Sequence, residues 1–269
     1  MAEQQAGRRA HLITGGFPPG SAAGHDHDYA RLRLLTLLAE AEVPASVAND
    51  FGDIATWLPL ARLLITYVAG PYPDGAQCAT IERWLRAGGH WLALHGTSGG
   101  RAERVEGFRQ RRTVKTEHHA LLGSYFLTHP PIRRFRVEIA AEHPLTHGLG
   151  RSFEVEDEPY FVELQDPAGT QILLTADYGP DAVSPAIGTL YPRDTSLQPD
   201  GRRVIAYTRP VGAGGVTYCT LGHCHNPAIR AARAGAPADD APPVFHGAWV
   251  SDGFLTLLRN TVALAVAAR

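Results

Sequence analysis

The stretch ARLLITYVA at 61–69 constrains this chain more than any other, because an almost unbroken apolar run of that length is stable as a strand only when both faces of its sheet are covered. It is followed by PDGAQCATIERWLRAGG, which reads as a helix capped by Asp74 at its start and Gly88 at its end, with Ile81, Trp84 and Leu85 turned inward. A second apolar strand, HWLALHG, comes next. Upstream, a short strand at His11–Thr14 leads to a glycine- and proline-rich loop. A helix follows with Tyr29, Leu32, Leu35 and Leu38 as its apolar stripe, widened by Leu34, Leu37 and Ala41, and then a short strand in VPASVAND. Apolar strands alternating with helices predict an α/β fold with a mostly parallel central sheet and helices on both faces.

The second half changes character. FRVEIA, QILLTAD, SPAIGTL, RVIAYTRP and GGVTYCTLG are strand-like runs separated by Pro/Gly turns, which predict a partly antiparallel extension of the sheet. DGFLTLLRNTVALAVAA reads as a closing helix, and RAARAGAPADDAPP at 230–243 as a flexible loop. We expect a single domain over 1–269.

Charge and composition narrow the function. Lys+Arg 25 against Asp+Glu 27 gives a net charge of −2, with Lys115 the only lysine, so neither nucleic acid nor an anionic membrane is an expected partner. The arginine-rich run at 101–112 is interleaved with Glu103 and Glu106 and reads as a solvated face. Cys78, Cys219 and Cys224 match no disulfide or zinc-ribbon spacing, and the chain shows no signal-like or membrane-spanning segment, so a cytoplasmic location is expected. GGFPPGSAAG lacks the G-x-G-x-x-G spacing of a dinucleotide loop, so no nucleotide cofactor is expected. A homodimer is the expected assembly.

The chemistry lies in 13 histidines and where they fall. In sheets of this kind ligands bind beyond the carboxyl ends of the strands, and GHDHD, HGTSGG and LGHCHN all follow strand ends. His95 occupies the point of an elbow-like turn in WLALHGTSGG, where an α/β hydrolase keeps its nucleophile. An imidazole there serves as an acid/base group or a metal ligand. His25, His223 and His225 are the candidate ligands for a divalent transition metal such as zinc. The alternative for His25 and His27 is a solvated helix start capped by Asp26 or Asp28, and for Cys224 a structural role rather than a reactive one. His129, fixed before Pro130, and Glu158, beside Pro159 and Tyr160, are candidate catalytic groups alongside His95. Gly16, Gly96, Thr97 and Tyr160 are the candidate substrate contacts, whereas His143 and His147 read as turn residues.

An opening strand into a Gly-Gly loop with GHD is followed by GGHWLALHG, HHALLGSYFLTHPP, EHPLTHGL, SFEVEDEPYF and GAGGVTYCTLGH. In that order they resemble the trehalose-utilisation, or ThuA-like, family over most of the chain. The resemblance implies a flavodoxin-like three-layer sandwich related to class I glutamine amidotransferases but without their catalytic triad. It also implies carbohydrate metabolism, with trehalose-type sugars or their keto derivatives as the small-molecule substrate class. With His95 where an amidotransferase has its cysteine, glutamine hydrolysis is not expected. An isomerase or a lyase/hydrolase acting beside a sugar carbonyl fits the residues, and a non-catalytic carbohydrate-binding or regulatory protein is the alternative. A metal site that only stabilises the fold is a third reading.

Overall fold

The computed structural model describes residues 8–16, 23–108, 111–179, 201–232 and 242–267. Thirteen strands are seen among them. The first four are β1 (Arg9–Gly16), β2 (Ala45–Ala48), β3 (Ala61–Ala69) and β4 (His90–Leu94). After the elbow come β5 (Ala102–Arg104), β6 (Arg111–Thr113), β7 (Ser124–Thr128), β8 (Arg133–Ile139), β9 (Ser152–Asp157) and β10 (Phe161–Leu164). The last three are β11 (Gln171–Asp177), β12 (Arg202–Val211) and β13 (Gly214–Cys219). The helices used below are α1 (His27–Glu40), α2 (Ile54–Trp57), α3 (Gly75–Arg86), α4 (Glu117–Leu122), α5 (Pro227–Ala232) and α6 (Asp252–Ala267).

Nine strands form one sheet in the order β2-β1-β3-β4-β13-β12-β11-β8-β9. The pairs from β2 to β13 are parallel, and those from β13 through β12, β11 and β8 to β9 are antiparallel. This is the flavodoxin-like arrangement that the resemblance implies, with the antiparallel extension that the strand-like runs of the second half predict. The direction reverses at each antiparallel step, so after an even number of reversals β9 runs the same way as β13. The carboxyl ends of β1, β4, β13 and β9 therefore all open at one edge.

Side chains alternate between the two faces of each strand. Leu63, Ile65 and Tyr67 of β3 join a core with Leu34, Leu37 and Leu38 of α1 and Leu257, Leu258 and Val262 of α6. Leu64 and Val68 join the opposite core with Ile54 of α2 and Ile81 and Leu85 of α3. Each face is thereby covered, which is why these strands carry apolar residues without a polar alternation.

Local signals hold in α3 and fail in part in α1. Asp74 caps α3 through a reciprocal box with Gln77, at 2.8 and 2.9 Å. Gly88 beyond its end adopts a positive φ of 105°, a conformation that favours glycine. In α1 the buried stripe is His27, Ala30, Leu34, Leu37 and Leu38, whereas Leu32 is 62% exposed. Leucines on several sides of this helix make its inward face ambiguous from periodicity, and docking on β1 and β3 decides it. The run at 101–112 includes the two-stranded β5–β6 pair, with Arg112 bound to Glu103 at the surface, as expected of a solvated face. The strand expected in SPAIGTL and most of the loop expected at 230–243 lie outside the described residues. Among the described residues no helix is long and apolar enough to cross a membrane.

Candidate functional site

The elbow turn after β4 is built under strain. His95 has φ +43°, a left-handed conformation that costs a branched or bulky residue about 1–3 kcal/mol and persists only when its surroundings enforce it. The enforcement is visible: Tyr218 Oη donates to the His95 carbonyl at 2.8 Å and bonds Ser98 Oγ at 2.7 Å. From below, His118 Nε2 meets the Thr97 carbonyl at 2.6 Å and His119 Nε2 the Gly99 carbonyl at 2.9 Å. His118 and His119 thus brace the turn from α4 rather than entering the site.

His95 is fully buried, and three further ligand-capable side chains converge with it. His25 arrives from the loop after β1, His223 from the loop after β13, and Glu158 from the residue following β9. The ligand-capable atoms of His25, His95, Glu158 and His223 lie within 4.8 Å of one another, and all four residues are buried. The chain leaving β9 is laid across the strand ends by a bond from Tyr160 N to the Thr220 carbonyl at 3.4 Å. The Tyr160 ring packs on His95 at 4.0 Å between centroids, and its hydroxyl lies 3.3 Å from His25 Nε2.

The hydrogen positions follow from the partners, since a carbonyl oxygen only accepts. His95 Nδ1 faces the Thr220 carbonyl at 2.8 Å and His25 Nδ1 the Ala23 carbonyl at 2.9 Å, so both Nδ1 atoms carry the hydrogen. Burial, reinforced by the neighbouring imidazoles, pushes His25 well below the usual histidine range, and it pushes His95 down to about 3. Both rings are therefore neutral at neutral pH, with bare Nε2 atoms that face each other at 3.1 Å. Two lone pairs at that distance repel unless a positive charge is shared between them. His223 Nδ1 lies 2.9 Å from Glu158 Oε1. Burial opposes ionisation of Glu158, yet the positive charge that His223 and then His129 can carry, together with a hydrogen bond from His223, holds its carboxyl well below the usual range. Neutral His25 and His95 rings with N–H groups fixed by carbonyls, beside an ionised carboxylate, are in the state in which such groups ligate a metal.

The other sequence-predicted residues fall around this centre in different ways. His129 stands outside Glu158, with Nδ1 3.5 Å from Oε2 and a side chain 34% exposed, so it forms the solvent-facing margin. Gly16 ends β1 and lines, with Thr14, His25, Asp26, Arg31 and Asn49, a cleft of about 450 Å³ that leads from His25. His225 is not among the converging four. It sits behind His223, with Nδ1 3.1 Å from His223 Nε2, and its backbone is paired with that of Phe245. Gly96 and Thr97 are packed into the fold beside the elbow. A Cβ on Gly96 would lie 2.5 Å from the Val68 carbonyl oxygen, and Thr97 Oγ1 donates to the Thr66 carbonyl at 3.0 Å. His27 is buried rather than solvated, while Asp26 caps α1 as expected by accepting from Tyr29 N at 3.0 Å. Cys224 is buried and its thiol is pushed up to about 12, mainly by that burial, which fits a structural role.

Asp157 is the residue the sequence reading passed over. Its carboxylate accepts from Gly222 N at 2.9 Å, His223 N at 3.1 Å and Ala248 N at 3.1 Å, and so fixes the loop that carries His223. Burial pushes its carboxyl up to about 6 against these hydrogen bonds and the nearby His223, which favour the ionised form. A signal was present: in SFEVED, the alternation of Phe153 and Val155 places Asp157 on the inward side of its strand.

Known proteins agree with this architecture. A ThuA-like protein of Parabacteroides merdae superposes with a TM-score of 0.59 at 15% identity, covering 96% of this chain and 89% of that one. A ThuA-like protein of Bacteroides uniformis gives 0.56 at 18% identity, over 80% and 82%. The β-galactosidase of Rahnella sp. R3 gives 0.52 at 14% identity, over 79% of this chain and 28% of that one. At such identities these likenesses show the fold. No curated protein matches the chain. The model of the ThuA family, described as trehalose utilisation, matches residues 23–232, a span that contains His25, His95, Glu158 and His223. A sheet of this order, a strained histidine elbow and a family match over most of its length lead to one conclusion: the chain belongs to the ThuA family.

Proposed function

We propose that the protein is an enzyme of carbohydrate metabolism that acts on a sugar or keto-sugar, trehalose-type or related, as an isomerase or a lyase/hydrolase. The observation that carries this reading is the convergence of three buried imidazoles and one buried carboxylate at the carboxyl edge of the sheet. A divalent transition metal such as zinc fits the donor set, with His25, His95, His223 and Glu158 as the residues that would hold it. When bound, such an ion supplies a Lewis acid for a substrate carbonyl oxygen.

The chain's own groups supply the proton chemistry. His129 stands at the solvent-facing side of Glu158 and is the group placed to take a proton from the carbon beside a sugar carbonyl and return it. Glu158 spans the two sides, with Oε1 toward His223 and Oε2 toward His129. The Tyr160 hydroxyl is a hydrogen-bonding group for a sugar oxygen, and its ring excludes water from His95. Glutamine hydrolysis has no place in this reading, because the elbow presents an imidazole and burial pushes the thiols of Cys219 and Cys224 up to about 12.

Elemental analysis of the wild type beside His95→Ala and His223→Ala tests the centre. About one equivalent of a transition metal in the wild type, lost in both variants, is the expected result. A metal-free wild type overturns the metal-assisted mechanism and leaves His129 and Glu158 as an acid/base pair. Turnover of keto-sugars then separates an enzyme from a binding protein. His95→Asn is expected to abolish turnover while ligand still binds, and a wild type that binds sugars without turning any over refutes the enzymatic reading.

A further inference from the structure

We infer that His225 is a positioning residue that selects the tautomer of His223, and thereby keeps a lone pair on His223 Nδ1 pointed into the four-residue centre. The inference rests on the metal-assisted reading above, and it reassigns His225 from ligand to determinant of a ligand. The accounting begins at the far end of the chain of rings. His225 Nε2 lies 3.0 Å from the carbonyl of Pro242, which can only accept, so Nε2 carries the hydrogen. In the neutral ring Nδ1 is then an acceptor, and it lies 3.1 Å from His223 Nε2. A hydrogen bond across that gap requires the hydrogen on His223 Nε2. A His223 ring with that one hydrogen has its lone pair on Nδ1, 2.9 Å from Glu158 Oε1.

The alternative tautomer shows what His225 prevents. With its hydrogen on Nδ1, His223 would donate to Glu158, both groups would be satisfied without any cation, and no lone pair would face His25 and His95. The ring would then have a bare Nε2 opposite the bare Nδ1 of His225. The relay Pro242–His225–His223 therefore disfavours the self-satisfied centre and favours the one that needs a positive charge. His25 and His95 reach the same end directly, each through one carbonyl, at Ala23 and Thr220. In His223 the ring is turned so that Nδ1 rather than Nε2 faces the centre, and its other nitrogen meets a side chain instead of the backbone. The His225–Phe245 pairing, with reciprocal backbone bonds of 2.9 Å, holds the relay residue in place.

The test uses the full-length protein with Co²⁺ and Zn²⁺ as probes, in the wild type, His225→Phe and His225→Gln. Glutamine offers an acceptor to His223 and a donor to Pro242, whereas phenylalanine fills the space with neither. Removal of such an outer partner typically lowers metal affinity about 10–100-fold, so His225→Phe is expected to bind both ions weaker by that factor. His225→Gln is expected to recover most of the loss. Two-bond proton–nitrogen NMR of the metal-free protein gives an independent reading: hydrogen on His223 Nε2 in the wild type and His225→Gln, and on Nδ1 in His225→Phe. Equal affinities in wild type and His225→Phe, or an Nδ1 hydrogen on His223 in the metal-free wild type, overturn the proposal. If the wild type binds neither ion, the metal-assisted reading fails, while the NMR assignment still decides whether His225 sets the tautomer.

Discussion

Replacement of Asp157 by alanine isolates the contribution of one buried carboxylate to the loop that presents His223. The substitution leaves the N–H groups of Glu158, Gly222, His223 and Ala248 without their acceptor, in a region where all four bonds are buried. An unsatisfied buried donor costs about 1–3 kcal/mol, so the simple sum is about 4–12 kcal/mol. Water entering the space vacated by the carboxylate, and relaxation of the loop, bring the expected loss to the lower part of that range. Even about 4 kcal/mol is a large part of the roughly 5–15 kcal/mol by which a domain is stable. Asp157→Asn keeps one oxygen and so one pair of bonds, either to Gly222 and Ala248 or to His223 and Glu158, and about half the loss is expected. Glu156→Ala, one residue earlier on the exposed side of the same strand, is the control and should change stability by no more than about 0.5 kcal/mol. Urea denaturation at pH 7 reads all three, with metal uptake by the still-folded Asp157→Asn as the second measurement. A loss below about 1 kcal/mol for Asp157→Ala with an unchanged urea dependence would refute the claim that this carboxylate organises the loop.

Two further outcomes follow from burial. The thiols of Cys78, Cys219 and Cys224 are pushed up to about 11, 12 and 12 chiefly by desolvation, so a thiol reagent at pH 8 should label the native protein slowly and all three cysteines quickly in urea; rapid native labelling of Cys224 would restore it as a reactive group. Burial pushes His118 down to about 3 and His90 down to about 4, so both are neutral in the folded protein, and the unfolded chain takes up protons first as the pH falls below about 6.5. Stability is then lost from about pH 6.5 downward, with about 2 kcal/mol from His118 alone by pH 5, and His118→Gln should flatten the fall in urea midpoint between pH 7 and pH 5.

The sequence by itself determined the layers, the caps of α3 and the edge at which chemistry would gather. It could do so because these are short-range facts. Apolar runs such as 61–69 need cover on both faces, Asp74 and Gly88 act within one turn of a helix, and loops after parallel strands open on one side. His25, His95 and His223 were legible for that reason, each lying just past a strand end. Only the tertiary structure decided which of the remaining histidines join them. His118 and His119 follow the elbow closely in sequence but turn beneath it, and His225 lies two residues from His223 yet behind it. Glu158 reaches the centre because successive antiparallel pairings return β9 to the direction of β13, a long-range consequence of strand order. The state of the imidazoles was decided at the same level. Which nitrogen is bare depends on carbonyls at Ala23, Thr220 and Pro242, groups whose orientation no side-chain pattern encodes, and burial among neighbouring rings keeps His25 and His95 neutral.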